Sequence, residues 1–166
     1  MNKAQGALEE INRLTDLIIT QVANLSELHL HWKPSEKIWS VMEILCHVDE
    51  IVPYWLHELQ RVIESPGIEW GRNHLDEGRL VAVACSKQRD LEDILNSLNH
   101  NKQTAHNVLN SIRDEDLMLE APSRNPRFGT KPMMFIVSHL LVDHLQSHLN
   151  QIQRNLQQYE AANHHI

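Results

Sequence analysis

Apolar residues recur at steps of three and four along four long stretches of this 166-residue chain, the period of helices that each bury one face. In the first stretch, Lys3 to Leu30, the stripe is Leu8, Ile11, Leu14, Ile18, Val22, Leu25 and Leu28. It stops ahead of Pro34, whose ring disfavours helical geometry at Lys33. The second begins at Ser40, an N-cap residue, with Glu43 in the reciprocal position of a capping box. Ile44, Leu45, Val48, Ile51, Val52, Trp55, Leu59, Val62 and Ile63 carry its stripe to the break at Ser65-Pro66-Gly67. Pro53 lies within this helix, removes one backbone hydrogen bond and predicts a kink.

From Ile68 to Cys85 the pattern is mixed and predicts a connection across one end of the molecule. Ser86 is the expected cap of the third helix, which runs to about Ile112 through Leu91, Ile94, Leu95, Leu98, Ala105, Val108 and Leu109. Arg113 to Gly129, with Pro122, Pro126 and Gly129, reads as loop. The fourth helix is expected to start near Thr130 as cap, with Pro132 in its first turn, and to pass through Phe135, Ile136, Leu140, Leu141, Leu145, Leu149, Ile152 and Leu156. With only 5 Gly and little period-two alternation, the chain reads as all-α. A four-helix bundle occupying residues 1–166 as a single domain is the simplest way to bury four such stripes.

Charge narrows the function. Against 15 Lys plus Arg stand 22 Asp plus Glu, a formal charge of −7, which argues against a phosphate-backbone binder, so no nucleic-acid partner is expected. No apolar run approaches the roughly 20 residues that span a bilayer, so no membrane partner is expected either. The amino-terminal residues lack a basic, then apolar, then small-residue signal, and a cytoplasmic location is the default expectation. Cys46 and Cys85 are too few for a disulfide framework and are expected to be reduced.

Histidine is the residue in excess, with 12 copies. His144 and His148 stand four apart, one turn above each other on one helix face, a spacing that suits two ligands of one metal ion. They continue the apolar series Leu141, His144, His148, Ile152, so both point toward the bundle interior or its rim. His47, three residues after Ile44 and four before Ile51, leans inward from the second helix. Three imidazoles from two facing helices would hold a divalent ion with a position left open for water or substrate. The competing reading is that an HxxxH pair arises by chance in a histidine-rich chain and serves only packing. Glu43, Glu50 and Asp143 lie near these histidines in sequence. Each could orient a ligand or move a proton, and each could equally be a solvated surface carboxylate. His29, His31, His57, His74, His100, His106 and His139 have no trusted partner, and His164 and His165 sit in a terminal tract. Cys46 diverges by about 100° from His47 around the helix and reads as core.

The run Trp32-Lys33-Pro34 through Trp39-Ser40, Glu43 and His47 has the pattern W-x-P-x-x-x-x-W-S-x-x-E-x-x-x-H, and His144 to Ile152 is similar to H-x-x-x-H-x-G-Q-I. Both resemble the DinB superfamily of metalloenzymes, especially its YfiT-like branch, over nearly the whole chain. Asn150 stands where that family often has Gly. The resemblance implies a four-helix bundle that binds a divalent metal, commonly nickel or zinc, through His47, His144 and His148. It also implies a hydrolase or a transferase using a low-molecular-weight thiol, with Glu43 or Glu50 as the expected proton carriers and a small molecule, with or without a thiol cofactor, as partner. The other class of function is a helical interaction or stress-response module with a structural or vestigial metal site. Homodimerisation through exposed stripe residues is compatible with both. The loop Ser123 to Phe128 could bring Arg124 and Arg127 to the mouth of a site and favour an anionic substrate.

Overall fold

In the computed structural model, which describes residues 2–73 and 76–164, the chain is a four-helix bundle with short elements gathered in its connections. Helix α1, Lys3–Val22, is capped by Asn2, whose side chain accepts from the Gln5 amide while Gln5 reaches back. The expected single helix to Leu30 is in fact two. Asn24 and Ser26 offer the backbone local alternatives to helix, and the Ser26 hydroxyl caps a new short helix, α2, Glu27–His31. The break turns Leu28 out of the stripe, leaving it 73% exposed.

Helix α3, Val41–Glu64, starts as the sequence predicts: Ser40 accepts from the Glu43 amide at 3.1 Å and Glu43 accepts from the Ser40 amide at 2.7 Å. Pro53 deprives the Asp49 carbonyl, four residues earlier, of its amide donor. The side chain of buried Asn101 donates to that carbonyl instead, at 3.1 Å, and also to the Asp49 carboxylate at 2.9 Å.

The connection from residue 68 contains a helix that the mixed pattern concealed, α4, Glu77–Ala84, capped by Asp76. Ser86 is buried in a 3-10 turn, Cys85–Gln88, and does not cap the third long helix. That helix, α5, Leu91–Asn110, is capped by Asp90, whose charged side chain accepts from the Asp93 amide at 2.8 Å. The expected loop to Gly129 includes strand β1, Glu120–Pro122, antiparallel to β2, Thr130–Pro132, with Ala121 opposite Lys131. Thr130 and Pro132 therefore belong to a strand and not to a helix start. The last helix then runs as a π-helical segment, Ile136–Asp143, directly into α6, His144–Asn163.

Helices α1 and α3 each pack mainly on α5 and on the last helix, so these two consecutive long helices lie diagonally across the bundle. This order sets α3 beside the π segment and α6. Among the described residues, no helix is long and apolar enough to cross a membrane.

Candidate metal centre

The second turn of α3 and the first turns of α6 meet where their histidines lie. Ring centroids are 5.4 Å apart for His47 and His144, 4.8 Å for His47 and His148, and 4.5 Å for His144 and His148. One ring nitrogen from each falls within 4.8 Å of the others. His47 and His148 are only 3% and 5% exposed, and His144 is half-buried.

Hydrogen bonding fixes how these rings present themselves. His148 Nδ1 lies 2.7 Å from Gln151 Oε1, an acceptor, so Nδ1 carries the proton and Nε2 the lone pair. Among the described residues that buried Nε2 has no partner, nor has the buried Nδ1 of His47. Burial first, then the neighbouring His148 and His144, pushes His47 down to about 2. Burial and His148 bring His144 to about 4 against an opposing hydrogen bond with the Leu140 backbone, and burial also lowers His148. All three rings are therefore neutral near pH 7, the state that donates a lone pair to a metal. Two orphaned buried nitrogens in an all-imidazole set fit a divalent ion such as zinc or nickel.

The trio faces a cavity of about 620 Å³ whose walls include Trp39, Trp55, Arg72, Arg79, Arg127 and Phe128. Trp39 packs edge-on against His47 at 5.1 Å, and its carbonyl accepts from Asn155 at 3.0 Å. The outer walls come from the two connections, which are joined around buried Trp70. Its amide donates to Pro122, its carbonyl accepts from Arg124, and its indole N–H donates to Ala121 at 2.9 Å. Gly71 follows with a left-handed φ of 80°, where an added Cβ would sit 3.4 Å from Trp55. Glycine permits this turn and sets Arg72 at the wall.

The structure brings together His47, His144 and His148, but not the carboxylates of the expected set. Glu43 is held by Ser40 and by Lys33 Nζ at 3.1 Å, and Glu50 receives both Arg72 nitrogens, one at 2.8 Å. Neither lines the main cavity; among the described residues its one carboxylate is Asp76. Asp143 is exposed and faces His139 at 3.5 Å. His29 packs at a tilt against Tyr159 and His31 pairs with Glu27, while His57, His100, His106 and His164 are exposed. His74 and His165 lie outside the described residues. Arg127 reaches the cavity, whereas Arg124 donates to the Gly71 carbonyl at 3.0 Å. Sequence reasoning missed Arg72, Asp76 and Arg79, which come from the connection containing α4, and gave no role to Gln151, although it stands as the Q of the H-x-x-x-H-x-G-Q-I pattern. Cys46 is 1% exposed, and burial above all pushes its thiol up to about 11.

The sequence pattern of the DinB superfamily matches residues 10–152. The chain belongs to the DinB superfamily. No curated protein matches it by sequence. Among solved structures, this DinB chain is similar to YfiT from Bacillus subtilis, described as a probable metal-dependent hydrolase with an unusual four-helix bundle topology. That match has a TM-score of 0.81 at 12% identity and covers 96% of this chain and 90% of that one. It is also similar to the mycothiol-dependent maleylpyruvate isomerase, with a TM-score of 0.69 at 14% identity, covering 90% of this chain and 60% of the isomerase. At such identities the likeness is one of fold.

Proposed function

We propose that this DinB chain is a metal-dependent enzyme, a hydrolase or a low-molecular-weight-thiol-dependent transferase, acting on a small molecule in the cavity above His47, His144 and His148. The observation that carries this reading is the convergence of three neutral imidazoles, two with orphaned buried nitrogens, on an open cavity. A zinc or nickel ion held there supplies the capacity to lower the pKa of a bound water or thiol and so provide a nucleophile near neutral pH. Gln151 holds His148 in the tautomer that leaves Nε2 free. Glu43 fixes the start of the helix bearing His47, and Glu50 holds Arg72 at the wall, so both carboxylates act as positioning residues. Trp39 shields the His47 ring with apolar surface. The metal-dependent hydrolase and the thiol-dependent isomerase that share the fold support both halves of the reading.

Elemental analysis of the untagged protein, purified without chelator, beside a His144→Ala/His148→Ala variant tests it. About one zinc or nickel per wild-type chain and none in the variant is the expected result. No metal in the wild type after reconstitution with either ion would overturn it.

A further inference from the structure

Of the four cations in the cavity wall, Arg72 is matched by Glu50 and Asp76. Lys37, Arg79 and Arg127 have no carboxylate partner among the described residues. In a chain of formal charge −7, three unmatched cations in one cavity are not a by-product of composition. Arg79 is held through its side chain and Arg127 through its backbone. The Arg79 guanidinium lies 5.2 Å over the Trp39 ring, and Trp39 in turn packs on His47. The Arg127 amide donates to Asn125 Oδ1 at 3.1 Å, and the adjacent Phe128 stacks on Trp70 at 6.0 Å. Guanidinium forks at the mouth of a partly apolar cavity recognise planar or tetrahedral oxyanions.

We propose that Arg79 and Arg127 form an anion-recognition pair that selects small molecules with an acidic group, carboxylate or phosphate, and an apolar remainder packed toward Trp39, Trp55 and Phe128. The role of that molecule as substrate rests on the metal-enzyme reading, but its binding does not need the ion. The acid group is anchored at the mouth, which directs the rest of the molecule toward the three histidines.

Calorimetric titration of the full chain with phenylacetate, phenyl phosphate and the neutral phenylacetamide tests this, once after removal of metal with EDTA and once loaded with zinc. At least one acid should bind more tightly than the amide in both forms, and the tighter acid identifies the group recognised. Arg79→Gln/Arg127→Gln, at two exposed positions, should weaken acid binding by about tenfold, the factor one charge-assisted hydrogen bond supplies, and leave the amide unaffected. Arg13→Gln on α1 should change neither. Equal affinity for acid and amide, no binding of either acid, or an unchanged double variant would overturn the proposal. An acid preference seen only with zinc would also overturn it, because the anion would then be meeting the ion. Zinc stoichiometry, measured on the same samples, reports separately on the metal centre.

Discussion

Pro53 leaves an unmet acceptor inside α3, and one side chain from another helix meets it. Asn101 donates to both the carbonyl and the carboxylate of Asp49, while Ser97 and Arg89 donate to the same carboxylate at 2.6 and 2.7 Å. Replacing Asn101 by Ala strands a buried carbonyl and should cost about 2 kcal/mol, read from urea denaturation. In a Pro53→Ala background the restored amide serves Asp49, and the cost of Asn101→Ala should fall by about 1 kcal/mol. An unchanged cost would show that the carboxylate contact carries the effect. Cys46 is the second case in which surroundings decide a residue's behaviour. Its raised pKa keeps the thiol protonated at neutral pH, so iodoacetamide applied to the native chain should alkylate the partly exposed Cys85 and spare Cys46, as read by peptide mass spectrometry.

Glu58 ties α3 to the connection that follows it. Burial pushes its carboxyl up, but bonds from Arg61 and from the Gly71 amide at 2.6 Å outweigh burial and hold it below its ordinary 4.5. A folded-state value below the unfolded one contributes stability that is fully present above pH 4.5 and is lost as pH falls through the folded value. Glu58→Gln should therefore destabilise by about 2 kcal/mol at pH 7, with the gap from wild type closing below pH 4.5 in urea titrations. The elements themselves were unequally legible. The long stripes and the Ser40–Glu43 box announce α3 and α5, because period and capping are local signals. The break after Val22, the β1–β2 pair and α4 depend on competing side-chain bonds and on partners distant in sequence. The π segment is hidden for another reason: its turn is wider than the 3.6 residues that the periodicity test assumes. The histidine trio was nonetheless readable, since His144 and His148 both lie in the regular helix beyond that segment, whereas of the cationic wall only Arg127 was anticipated, Lys37 and Arg72 standing in irregular chain and Arg79 in the short helix α4.

At the scale of the molecule, the diagonal placement of α1 and α3 puts the two histidine-bearing helices side by side although some eighty residues separate them. A bound ion would bridge α3 to α6 and stabilise the folded chain by mass action. Zinc at about a hundred times its dissociation constant should add about 2.7 kcal/mol, a rise in Tm of roughly 5–10 °C. A His148→Ala variant should show no such rise in the same thermal scans. The centre and its outer surroundings also have separate origins: the imidazoles come from two packed helices, the outer cavity walls from two connections joined around Trp70. Substitutions at Arg72, Asp76, Arg79, Asn125, Arg127 and Phe128 would therefore retune which molecules the proposed site admits while its three histidines are left intact, and a graft of either connection from a structural relative would carry selectivity with it as a detachable trait.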